Sequence, residues 1–145
     1  MTYLLDVNVL VALIDPAHVA HDMAHDWFAR HAAAGWATCP ITENGVIRIV
    51  GHPKYPNTPG SPSAVAAIVV RLRQLAGHNF WPDDLSLVES DRVEASRIFT
   101  SKQVIDSYLL ALASAHGGRL ATLDRRLSVA AVKGGKKALY QIGLE

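Results

Sequence analysis

Four carboxylates stand at or just past the ends of apolar runs. They are Asp6 in Leu4-Leu5-Asp6-Val7-Asn8, Glu43 in Ile41-Thr42-Glu43-Asn44, Asp106 in Val104-Ile105-Asp106-Ser107 and Asp124 in Leu120-Ala121-Thr122-Leu123-Asp124. A carboxylate beside a buried stretch needs a partner, because desolvating an unpaired charge is costly. Four of them can share one partner if the fold gathers them, and a hard divalent cation bound through oxygen meets that demand. With no thiolate or imidazole beside them, an all-oxygen set favours Mg²⁺ or Mn²⁺ over zinc. Asn8 adds a neutral oxygen, and Thr122 and Ser107 add hydroxyls able to orient the ligands. Each acid also has a plainer reading. Asp6 can cap a helix, Glu43 can complement a helix dipole, and Asp124 before Arg125-Arg126 can be a surface turn acid. Asp106 is harder to dismiss, since Ile105 and Leu109 flank it. The joint pattern is what favours a shared site.

The elements that must position these acids alternate. Residues 3–7 read as a buried first strand ending near Asp6, with Asn8 capping a short helix over residues 9–14 that stops at Asp15-Pro16. Residues 18–34 carry Val19, Met23, Trp27 and Phe28 on one helical face, closed by Gly35. A strand over residues 36–39 and a helix opened by Pro40 follow, with Glu43 in its first turn. The proline-rich residues 51–62 form a loop, residues 63–76 a helix, residues 78–81 an edge strand and residues 91–99 a short helix. Thr100 and Gln103 have capping-box spacing before a helix over residues 104–116. Residues 119–123 read as a buried strand, 125–132 as a helix, 133–137 as a basic glycine loop and 138–142 as a final strand. Such alternation implies an α/β fold, a three-layer α/β/α sandwich around a mostly parallel sheet. In such sheets ligands bind outside the carboxyl ends of the strands, where Asp6 and Asp124 fall.

The 145 residues suit one domain spanning 1–145, half hydrophobic and 19% charged, which excludes disorder. Asp, Asn or Arg interrupts every apolar stretch before bilayer-spanning length, so no membrane association is expected. The first residues lack a basic flank and a cleavage site, and Cys39 is the only cysteine; a cytoplasmic location is the expectation. A net charge of +1 does not mark an electrostatic nucleic-acid binder, although an acidic pocket would mask basic groups elsewhere.

Other candidates are weaker. His18, His21 and His25 share a helix face at zinc-compatible spacing, but the apolar residues lie on the other side and a solvated face is the simpler reading. Lys133, Lys136 and Lys137 suit phosphate contacts or a solvated loop. Arg48, Arg125 and Arg126 can balance the acids or touch phosphates. Asp83-Asp84 reads as a turn and Cys39 as a small buried hydrophobe.

Four runs in order carry a resemblance. Leu5-Asp6-Val7-Asn8-Val9-Leu10, Thr42-Glu43-Asn44-Gly45, Asp106-Ser107-Tyr108-Leu109-Leu110-Ala111-Leu112-Ala113 and Ala121-Thr122-Leu123-Asp124-Arg125-Arg126-Leu127 resemble the PIN-domain ribonucleases, and more narrowly the VapC toxins of toxin–antitoxin systems. The resemblance implies a metal-dependent endoribonuclease with Asp6, Glu43, Asp106 and Asp124 as its acidic residues and Asn8 as its strand-one asparagine. It further implies an RNA substrate, products with 5′-phosphate and 3′-hydroxyl ends, a homodimer, and a cognate antitoxin of the VapB type. Trp27, Phe28, Trp36, Ile47 and Ile49 are expected to leave an exposed apolar groove for that antitoxin, and the helix over residues 104–116 a face for dimerisation. Two alternatives are a haloacid-dehalogenase-like phosphotransferase, which would need an Asp where Asn8 stands, and a non-catalytic PIN-like scaffold that binds RNA or protein.

Overall fold

The computed structural model describes residues 1–144; Glu145, the last residue of the range expected to form the domain, lies outside the described residues. Five short strands form one sheet: β1 Tyr3–Leu5, β2 Trp36–Thr38, β3 His78–Phe80, β4 Arg119–Thr122 and β5 Leu139–Gln141. Their order is β3-β2-β1-β4-β5, and every neighbouring pair is parallel, so the sheet is wholly rather than mostly parallel. Strand side chains alternate between faces, so consecutive residues enter different cores. Leu5, Trp36 and Ala121 pack with α1 (Val7–Ile14), α2 (His21–His31), α3 (Pro40–Val50) and α4 (Pro62–Arg73). Leu4, Ala37 and Leu120 pack on the other face with α5 (Lys102–Ala115) and the single turn α6 (Gly135–Ala138). These are the three expected layers.

Several boundaries differ from expectation, each for a local reason. Asp6, not Asn8, caps α1: its carboxylate accepts from Val7 N–H at 2.7 Å, and Asn8 lies inside the helix. The second helix begins at His21, leaving His18 in the preceding turn and Val19 fully exposed. Residues 91–99 make only a 3₁₀ turn at Ala95–Arg97. Residues 125–132 form no helix, because Asp124 and Ser128 accept from the backbone N–H two residues on, a local alternative to helical bonding. The glycine loop instead supplies the one turn of α6. Thr100 and Gln103 do exchange side-chain-to-backbone bonds at the start of α5, which begins two residues earlier than expected.

The expected apolar groove is filled from within. Trp27 and Trp36 are fully buried, and Phe28, Ile47 and Ile49 pack half-buried against the same core. Likewise residues 107–113 of α5 are buried within the chain, and of its large apolar side chains Val104 and Ile105 at its start remain exposed.

The proline-rich loop is tied down by a residue whose importance the sequence did not signal. Asp15, buried at the end of α1, accepts from Asn57 Nδ2 at 2.7 Å, from the Tyr55 hydroxyl and from Ala17 N–H at 2.9 Å. Burial alone would raise its pKa, but these donors together hold it below the ordinary carboxylate value. Asp15→Ala should therefore destabilise the fold by about 2–3 kcal/mol in urea titration and open residues 51–62 to limited proteolysis. An unchanged midpoint and an uncut loop would contradict this anchoring.

Candidate active site

The strand order places its reversal between β1 and β4, the position where parallel α/β sheets open a crevice at their carboxyl ends. The register pairs Leu5 with Ala121, so Asp6 emerges level with Thr122. Thr122 Oγ donates to Asp6 Oδ2 at 2.8 Å, while Val7 N–H donates to Oδ1. Asn8 bridges the two strand ends: its amide donates to Thr122 Oγ at 3.1 Å, and its Oδ1 accepts from Leu123 N–H at 3.0 Å. Asn8 and Thr122, expected to support the acids, are thus hydrogen-bonded to each other, and Thr122 to Asp6. Ser107 does not join them; its hydroxyl is buried without a hydrogen-bond partner among the described residues.

Asp106 projects from the first turns of α5, and Asp124 follows β4 by two residues. Both line one cleft with Asp6. The cleft has a volume of about 640 Å³, in the range of small-ligand sites. Burial is the largest influence on Asp106, and the neighbouring Asp6 and Asp124 charges add to it, lifting its pKa from 3.8 to about 6. Burial likewise raises Asp6, against the pull of its hydrogen bonds to Thr122 and Val7. Asp124 is held low, first by Lys102, whose Nζ lies 2.7 Å from Oδ2. Lys102 sits four residues before Asp106 on the same helix, a spacing that puts both on one face. That spacing was the available signal for a cleft residue the sequence reading passed over.

Glu43 stands elsewhere. It accepts from Thr38 Oγ at 2.6 Å and pairs with Arg73 at 3.5 Å, and it is not among the residues lining the cleft. Its neighbours Ile41, Asn44, Gly45 and Arg48 line the cleft from α3 instead. A Cβ at Gly45 would lie 2.8 Å from a Val7 methyl group, so a larger residue there requires the Val7 side chain or α3 to shift. Arg48 lines the cleft; Arg126, outside the lining, helps by its charge to lower the Asp124 pKa; Arg48, Arg125 and Arg126 are all exposed. The lysines of the α6 region and Asp83-Asp84 lie outside the cleft lining, with Asp83 accepting from the Tyr108 hydroxyl at 2.9 Å. Of the three histidines, His18 lines the cleft, while His21 and His25 place their rings 4.6 Å apart on α2.

Three carboxylates line one cleft, and the Asp6 and Asp124 charges help raise the Asp106 pKa; such a carboxylate set suits a hard divalent cation. Among the described residues no three acids are already drawn together as an ion's ligands, and Lys102 supplies the positive charge to Asp124. The sign of the Asp106 shift gives a test on chelated protein. A carboxyl whose folded pKa lies above its unfolded value contributes stability present below about pH 4 and lost as pH rises through about 6. Asp106→Asn should thus leave the metal-free protein more stable at pH 7, by on the order of 1 kcal/mol after allowing for screening at a half-exposed site. At pH 4 that advantage should vanish, as read from urea midpoints at both pH values; equal midpoints at pH 7 would contradict the crowding.

Comparison with known proteins agrees with this geometry. Residues 3–133 match the PIN domain family. Ribonuclease VapC44 of Mycobacterium tuberculosis is 42% identical over 137 residues, covering 94% of this chain and 96% of that protein. Ribonuclease VapC39 of the same organism is 42% identical over 134 residues, covering 92% and 96%. The fold is also that of the Mycobacterium tuberculosis toxin VapC20, a sarcin–ricin-loop-cleaving protein, with a TM-score of 0.62 at 13% identity over 90% of this chain and 96% of that one. An all-parallel sheet with its acids at the switch point, joined to near-full-length identity of this order, makes the chain a PIN-domain protein of the VapC ribonuclease family.

Proposed function

We propose that this VapC-family chain is a Mg²⁺- or Mn²⁺-dependent endoribonuclease acting as the toxin of a toxin–antitoxin pair. The observation that carries the reading is the convergence of Asp6, Asp106 and Asp124 on one cleft. These three carboxylates would hold the ion. When bound, such an ion lowers the pKa of an attacking water and stabilises charge on the scissile phosphate. The chain's own residues do the rest. Thr122, Val7 and Asn8 lock Asp6 in place, so no reorientation is needed when substrate arrives. Lys102 and Arg48 bring positive charge to an otherwise acidic cleft and suit RNA phosphates. Glu43 is a proposed fourth ligand or water-orienting group, a role that requires its carboxylate to exchange Arg73 for the cleft. Cleavage leaves 5′-phosphate and 3′-hydroxyl ends.

Asp6→Asn, Asp106→Asn and Asp124→Asn should each reduce cleavage of an RNA panel about a hundredfold or more while the chain stays folded. EDTA should silence the wild type and excess Mg²⁺ restore it. Near-normal turnover in two of the variants, or full activity in chelator, would sink this site assignment.

An RNA-cleaving chain of this family calls for a VapB-type antitoxin in the cytoplasm, and an antitoxin Arg or Lys reaching the cleft would compete for its carboxylates. The Lys102–Asp124 pair supports that reading, since an ammonium from within the chain already satisfies one of them. Homodimerisation is proposed on the same family grounds. Co-expression with the adjacent small reading frame should yield a co-purifying complex with suppressed cleavage, and light scattering of the isolated chain should give twice 15.7 kDa. A clean monomer, or a partner that neither binds nor inhibits, would count against these proposals.

A further inference from the structure

The turn between α1 and α2 brings His18 to the cleft, and this histidine is built in more tightly than a loop residue needs to be. Its N–H donates to Asp15 O and its carbonyl accepts from His21 N–H, each at 3.0 Å. Its ring Nδ1 accepts from Ala20 N–H at 3.0 Å. Because Nδ1 accepts, the ring's proton sits on Nε2. That nitrogen has no protein partner among the described residues, and the residue lines the same cleft as Asp6, Asp106 and Asp124. Asp15, which holds the backbone of the turn, is itself held by Asn57 and Tyr55. The ring is therefore fixed at both its backbone and its inner nitrogen, with one donor left over.

The two walls of the cleft come from different helical layers. His18 and Arg48 belong to the layer of α1–α4, whereas Lys102 and Asp106 belong to α5 on the other face of the sheet. A strand of RNA crossing the sheet edge between these layers would meet the acids in the middle and a cationic or N–H donor on either side. Phosphate contacts of this kind set register and orientation without reading bases. Val11, Ile49 and Ile105 line the space between, a surface suited to the faces of bases rather than to a free ion.

We infer that His18 is a substrate-binding residue whose Nε2–H donates to a phosphate oxygen of the RNA strand beside the scissile phosphate. The inference rests on the ribonuclease reading above. If the ring served only the turn, its Nδ1 would suffice, and a short side chain with an oxygen at that place would do as well.

This contrast supplies the experiment. His18→Asn puts an amide oxygen near the Nδ1 position and keeps the turn, but removes the Nε2 donor. His18→Gln carries an amide N–H₂ near the Nε2 position and gives up the turn bond. The probe is a short fluorophore-labelled single-stranded RNA of mixed sequence. Cleavage in Mg²⁺ gives kcat and KM, and anisotropy in an Asp6→Asn background gives binding without turnover. His18→Asn should weaken binding and raise KM about tenfold, with kcat within about twofold, while His18→Gln recovers most of the loss. Wild-type values for His18→Asn, with His18→Gln as impaired as His18→Ala, would overturn the inference and leave only the turn. RNA cleaved by the wild type but bound equally by all the variants would overturn it while the ribonuclease reading stands. A wild type that neither binds nor cleaves the RNA would overturn both.

Discussion

Asp6 is the buried charge around which this end of the molecule is arranged. Its carboxylate terminates a central strand, and burial pushes its pKa upward. Leaving such a group unpaired would cost several kcal/mol. The fold meets that demand with the Val7 amide at the start of α1 and the Thr122 hydroxyl at the end of β4. Asn8 then links the same threonine to the Leu123 backbone. Two adjacent parallel strands are in this way tied together at their carboxyl ends through one carboxylate. The level register of β1 and β4 is a precondition for this, and a one-residue slip would also carry Leu4 and Leu5 into the wrong cores.

The charge balance of the cleft follows from that anchor. Asp106 and Asp124 arrive from opposite sides of β4 in the sequence, and their mutual repulsion with Asp6 is part of what lifts the Asp106 carboxyl to about 6. Lys102 pairs directly with Asp124, and its charge acts on Asp6 and Asp106 without offsetting the burial that raises both. The site is electrostatically incomplete, and a divalent ion bound through oxygen would relieve it. Glu43 is outside this balance because Thr38 and Arg73 already satisfy it, tying the start of α3 to α4.

The same economy explains the fate of the large apolar groups. Two cores need filling on either side of a narrow sheet, and Trp27, Trp36 and the middle of α5 fill them. Hydrophobicity along the chain reports a demand for burial. It does not distinguish burial against the chain's own sheet from burial against a partner.

The elements and their order were legible in the sequence because they rest on local physics. Short apolar runs, four-residue apolar spacing, glycine and proline stops and the Thr100–Gln103 box all act over a few residues. The acids were legible for the same reason, since a carboxylate at the edge of an apolar run is conspicuous wherever it lies. Tertiary structure decided what each polar group touches. Asp6 rather than Asn8 caps α1 because Asn8 finds better partners at positions more than a hundred residues away. Asp15 anchors a loop forty residues distant, His18 leaves its expected helix to reach the cleft, and Glu43 turns to Arg73. Residues 125–132 failed to form a helix because side-chain oxygens captured the local N–H groups. Composition tells which groups must find partners; only the assembled sheet, by setting distances across the chain, determines which ones they find.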